Sequence, residues 1–187
     1  KLKESFIVSD YCIGAVSEVA SVCLFSDVEL DKIEKIVLDY QSKTSVNLCK
    51  ILLKHYWKKN IELVDGGENF MNEITGTTAG VVIGDRAFVQ RKKSPFIYDL
   101  ATAWIDFTGL PFVFAAWVAN KKLDENFIDA FNIANGYGLK HIDEVVAELE
   151  ESSYDMKYYY TQNISYQLDE QKRKGLALFL DYLKNLN

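Results

Sequence analysis

The sequence predicts an α/β protein built on a mostly parallel sheet and closed by a block of helices. Three observations carry this. Short apolar runs alternate with helix-spaced ones over roughly the first 120 residues, the pattern of strands joined by crossover helices. Several of the runs, such as Ile36-Val37-Leu38 and Ala79 to Ile83, are apolar on both faces, as strands covered on both sides are. From Asp124 onward the spacing becomes helical, with Phe127, Phe131, Ala134, Gly138, Ile142, Val145 and Leu149 on one stripe. Leu176, Phe179, Leu180 and Leu183 make another.

In chain order, Phe6-Ile7-Val8 reads as a short buried strand that Tyr11-Cys12-Ile13-Gly14 carries into a turn. Val19 to Phe25 reads as a second strand, with Ser21 and Cys23 opposite Val22 and Leu24. Asp27 to Lys32 looks like a helical turn before the strand at 36–38. A helix is expected over 45–57, where Val46, Cys49, Leu53, Tyr56 and Trp57 share a stripe. Ile61 to Val64 is a strand, Phe70 to Ile74 a weak helix, and Ala79 to Ile83 a buried strand ending at Gly84-Asp85. Arg86 to Lys93 and Tyr98 to Phe107 read as helices. The second stops at Thr108-Gly109-Leu110-Pro111, where glycine supplies a left-handed residue and proline forbids continuation. The strand Phe112 to Val118 follows, and the chain is expected to be helical from Asp124 to its end.

Composition narrows the function. The chain has 187 residues, 49% apolar and 26% charged, enough to bury a sizeable core. Its net charge of −6 and scattered basic residues leave no basic face for nucleic acid. The longest apolar run, Leu110 to Ala119, is about half of the ~20 residues that a membrane span needs. Three cysteines without a CxxC spacing, all among apolar residues, read as buried free thiols in a reducing compartment, not as zinc ligands. His55 and His141 lie on helical stripes in no triad-like setting. GxSxG, P-loop, GxGxxG and HExxH motifs are absent. No metal and no cofactor is implied.

What remains is a set of hydroxyls and turns. Strand, hydroxyl-rich loop and helix start follow one another from Ile36 to Val46, and this order directs backbone N–H groups and the hydroxyls of Ser42, Thr44 and Ser45 toward one point. Such a point suits an anion, although capping the helix is what Ser42 or Thr44 more commonly does in that position. Gly84-Asp85 ends a buried strand where open α/β sheets bind ligands, and Asp85 could instead cap the helix that follows. Ser17 and Ser21 could serve a ligand or only a turn. Together these residues suit a small carboxylate and name no reaction.

Six stretches in this order resemble one family. They are Cys12-Ile13-Gly14, VASVCLFS (19–26), LDYQSKTSV (38–46), VVIGDRA (81–87), DLATAW (99–104) with TGLPFVFAAW (108–117), and ISYQLDEQKRKGLALF (164–179). The chain is similar over nearly its whole length to the chorismate dehydratases of the futalosine route to menaquinone. The resemblance implies a two-lobed periplasmic-binding-protein-like (type 2) fold, here in a cytoplasmic enzyme. It places residues 1–25 and 112–187 in lobe one and 26–111 in lobe two. The family begins with strands for which nothing before Lys1 stands here, on the order of 60 residues, so lobe one is expected to be incomplete. The implied activity is a lyase reaction: the dicarboxylate chorismate loses water to give 3-[(1-carboxyvinyl)oxy]benzoate. Ser21, Ser42, Thr44, Ser45 and Gly84 would bind substrate, and Asp85 is the candidate base beside a carboxylate of the substrate itself. Two alternatives stay open. One is a non-catalytic solute-binding protein for a small carboxylate. The other is the sister 1,4-dihydroxy-6-naphthoate synthase, which Gly84 disfavours because the sister carries histidine there.

Overall fold

Strand β2 (Val22–Ser26) has no residue open to solvent, and its alternating side chains feed two separate cores. Val22 and Leu24 join the larger one, Cys23 and Phe25 the smaller. A computed structural model describes residues 4–149 and 152–186, arranged as two sheets with helices around them. Those parts of the sequence expectation that fall on 1–3, 150–151 and 187 lie outside the described residues.

The larger sheet has the order β4-β3-β5-β2-β6, with β3 Lys35–Leu38, β4 Glu62–Asp65, β5 Thr78–Ile83 and β6 Phe96–Asp99. β3 is parallel to β4 and β5, while β2 is antiparallel to both β5 and β6. Four strands therefore run one way and β2 the other. The smaller sheet has the order β7-β1-β8 and is antiparallel throughout, with β1 Phe6–Ala15, β7 Phe112–Ala119 and β8 Ser165–Gln167. The expectation of mostly parallel sheets is thus corrected. Parallel neighbours need a crossover of a dozen or more residues. β2 and β3 lie on either side of β5, and the short link 27–34 between them reverses the chain.

Three element assignments also change. Residues 19–21 are not strand: Ala20 sits at φ 61, and the Val19 and Ala20 N–H groups donate to Asp99 Oδ2 at 3.1 and 2.8 Å. Residues 96–99 are strand β6, not the start of a helix. Pro95 and the cap formed by Asp99 Oδ1, which accepts from Ala101 and Thr102 N at 3.0 Å, delay helix α3 to Leu100–Thr108. The closing helical block is interrupted by β8, an edge strand of three residues, too short to announce itself by alternation. β2 pairs wholly within the five-stranded sheet, so the chain passes between the sheets before Val22.

The remaining helices follow expectation. α1 (Lys43–Ile51) runs on as a π-helical turn, Leu52–Tyr56, and α2 spans Asp85–Gln90. α4 (Glu125–Lys140), α5 (Ile142–Ala147), the short α6 (Met156–Tyr158) with a π turn Tyr159–Asn163, and α7 (Glu170–Lys184) complete the chain. Gly109 caps α3 in the left-handed region at φ 71. Trp104 of α3, fully buried, sets its ring 5.4 Å from Phe112 of β7 and 6.2 Å from Phe179 of α7, tying the two sheets together. Gly175 allows that closure, since a Cβ there would stand 2.1 Å from the Pro111 carbonyl oxygen. The TGLP and KGLALF stretches are therefore partners in packing.

Candidate functional site

The carboxyl ends of β3 and β5 meet at one end of the larger sheet, and an ion pair with an enclosed acid holds them. Asp39 follows β3 with its side chain wholly enclosed. Arg86 Nη2 donates to its Oδ1 and Oδ2 at 2.9 and 2.7 Å and to Gln41 Oε1 at 2.9 Å. The same carboxylate accepts from Ile83 N at 3.2 Å and Gln41 N at 2.9 Å. The guanidinium lies over the rings of Tyr40 and Phe70, 5.4 and 5.6 Å from their centroids. The loop opening α1 and the Gly84-Asp85 corner are thereby locked side by side. Neither Asp39 nor Arg86 stands out in the sequence, whose only signals for them are an acid just after an apolar run and an arginine just after Gly-Asp.

Of the hydroxyls, Ser42 caps α1. Its Oγ accepts from Ser45 N at 3.1 Å and donates to Ser45 Oγ at 2.9 Å. Capping is thus a role Ser42 does fill, and the bond to the buried Ser45 makes the two hydroxyls one unit. Thr44 turns toward the smaller sheet, where it lines a cavity of about 360 Å³ with Ile7, Val113, Phe114 and Phe179. It is not among the hydroxyls gathered by Ser42.

Ser21 joins the other half of the corner directly. Its carbonyl accepts from Gly84 N at 2.8 Å, and its Oγ lies 2.9 Å from Tyr159 Oη. Gly84 takes φ 64 and ψ −149, a conformation open to glycine and strained for other residues, and it faces open space. Asp85, the first residue of α2, is exposed beside it. Burial raises the Tyr159 phenol above its ordinary value, the Ser21 hydrogen bond opposes this, and the charges of Tyr160 and Asp85 add to the rise. Tyr159 therefore stays protonated at neutral pH.

A network behind the corner fixes the crossing between sheets. Arg91 Nη2 pairs with Glu18 at 2.6 Å and its Nη1 donates to the Ala20 carbonyl at 3.2 Å. Asn163 Nδ2 donates to the Glu18 carbonyl at 3.0 Å. Burial raises Asp99 above the ordinary carboxylate value, against the lowering effect of the backbone N–H groups of Thr102, Ala20 and Val19. His55 and His141 play structural parts: His55 packs 4.9 Å from the Tyr182 ring, and His141 Nδ1 lies 2.7 Å from the Tyr137 carbonyl.

Fold and corner together define a mixed α/β protein in which several hydroxyls and one exposed carboxylate lie at one end of the larger sheet. The chain belongs to the menaquinone biosynthesis family, whose model matches residues 2–185. It is 29% identical over 201 aligned residues to the chorismate dehydratase of Thermus thermophilus, a match covering 95% of this chain and 73% of that protein. The crystal structure of protein AF1704 from Archaeoglobus fulgidus superposes with a TM-score of 0.58 at 14% identity, covering 98% of this chain and 73% of that one. That likeness concerns the fold alone. No helix among the described residues is long and apolar enough to cross a membrane.

Proposed function

We propose that this chain is a lyase that dehydrates chorismate to 3-[(1-carboxyvinyl)oxy]benzoate in menaquinone biosynthesis. The observation that carries the reading is the 29% identity to a chorismate dehydratase across 95% of the chain, within a menaquinone biosynthesis family whose model matches residues 2–185. The corner supports it. A dicarboxylate needs localised donors on a chain of net charge −6, and the Ser21–Tyr159 and Ser42–Ser45 hydroxyl pairs bring such donors to one end of the larger sheet.

The chemistry follows from where charge develops. The proton removed lies on the carbon bearing the enolpyruvyl ether, conjugated through the ring alkene to the ring carboxylate. As it leaves, negative charge spreads into that carboxylate, and donors fixed around it stabilise the transition state more than the ground state. Departure of the neighbouring hydroxyl as water completes an aromatic ring. Asp85, exposed at the start of α2, is one acceptor for the proton; a carboxylate of the substrate is the other.

The architecture we propose is two-lobed and periplasmic-binding-protein-like, type 2. The five-stranded sheet forms one lobe, residues 22–110, and the three-stranded sheet with the closing helices forms the other. Chorismate would lie between them, with Thr44 approaching it from the side facing β7. Three buried free thiols fit a cytoplasmic setting.

The test is kinetic. Thr44→Ala and Ser45→Ala should each lower chorismate turnover at least about tenfold, the cost of one donor lost from developing charge. Turnover unchanged in both variants would remove residues 42–45 from the site.

A further inference from the structure

The Ser21–Tyr159 contact has a proton left over. Two hydroxyls 2.9 Å apart share one hydrogen, so one O–H remains for something else. Ser21 is 4% exposed, and among the described residues Tyr159 Oη is the hydrogen-bond partner of its Oγ. If Tyr159 were the donor, the Ser21 proton would be left without a partner inside the protein, which buried hydroxyls avoid. Ser21 is therefore the donor. That leaves the phenol proton of Tyr159, a half-buried residue near the exposed Asp85, without an acceptor among the described residues.

Tyr159 is also held more firmly than a surface tyrosine. Its ring meets Phe88 of α2 edge-on at 5.1 Å, and Phe88 is stacked in turn on Tyr154 at 4.6 Å. The residue opens the π-helical turn Tyr159–Asn163, whose last residue is tied to the Glu18 carbonyl. Such turns recur at functional sites because they aim a side chain that a regular helix would not.

We propose that Tyr159 is a substrate-binding residue of this site, donating its phenol proton to a carboxylate of the substrate, and that Ser21 acts as the positioning residue that orients it. The substrate identity rests on the proposed dehydratase reading; the pair itself requires only a carboxylate ligand.

The experiment separates the two. Chorismate turnover and the binding of benzoate, read by titration calorimetry, are measured on the full chain and on Tyr159→Phe, Ser21→Ala and the double variant. Tyr159→Phe keeps the ring against Phe88, so its melting temperature should stay near that of the parent. Its KM for chorismate and its Kd for benzoate should rise at least about tenfold, the weight of a hydrogen bond to a charged group. Ser21→Ala, which leaves the ring packing untouched, should lose most of the same factor, and the double variant should be no worse than Tyr159→Phe. A parent chain inert toward chorismate would end the dehydratase reading, with the benzoate series still deciding the pair. Absent benzoate binding, equal binding by parent and Tyr159→Phe, or additive losses in the double variant would overturn the pair.

Discussion

The five-stranded half and the three-stranded half are stabilised in different ways. In the first, β2 is buried along its whole length, and α1 and α3 bury Leu48, Cys49, Ile51, Leu100 and Trp104 against the sheet. In the second, β1 mixes buried residues with exposed ones such as Phe6, Ile7 and Ile13, and no residue of α4 is buried. Trp117, Phe127, Ile133 and Tyr137 stand half or more exposed, and a largely apolar cavity of about 640 Å³ separates β1 and β7 from α4. Hydrophobic burial is roughly proportional to apolar area removed from water, so stability and rigidity concentrate in the first half. That is also where Ser21, Ser42, Ser45, Gly84 and Asp85 are anchored. Preorganised donors need such a base, because a donor that moves with its support stabilises charge less.

The largest expected effect tests that base. Arg86→Ala leaves the enclosed Asp39 carboxylate without its cation, a loss of about 3–5 kcal/mol. The lower end is expected because Arg86 is itself 28% exposed. Chemical denaturation should show it, and a loss below about 1 kcal/mol, the scale of a surface pair, would mean the corner is not locked as described.

The three thiols compare the halves directly. Burial raises Cys12, in the smaller sheet, to about 11, Cys49 of α1 to about 12, and Cys23 of β2 well above its ordinary value. A thiol raised on folding favours the native state only while the unfolded one is also protonated. Stability should therefore fall as pH climbs from about 9.0 toward 11–12. At pH 8, a thiol reagent should modify Cys12 first, through opening of the smaller half, and Cys23 and Cys49 only with global unfolding. Simultaneous modification of all three would erase the contrast.

Ile133→Ala should cost least. The side chain is 73% exposed on α4, so the change should stay within about 0.5 kcal/mol. A larger loss would show that α4 is packed more tightly than its exposure indicates.

Much of this was legible in the sequence, for identifiable reasons. β5 is legible because Ala79 to Ile83 is an uninterrupted apolar run before glycine, and the end of α3 because Gly109 and Pro111 are unambiguous. Strand β6 was hidden by the helical spacing of Leu100, Ala103 and Trp104, which begins one residue after the strand ends. The direction of β2 was invisible, since strand polarity depends on pairing partners far along the chain. Site hydroxyls could be nominated from the loop at 42–45, but Asp39, Arg86 and Tyr159 could not. Their roles come from contacts 47 and 138 residues apart in sequence.

The most direct test of the central claim is to mix the full chain with chorismate and follow the ultraviolet spectrum and mass of the product. The account predicts accumulation of an aromatic carboxylate lighter than chorismate by one water. Chorismate recovered unchanged, under conditions where the Thermus thermophilus relative converts it, would contradict the account.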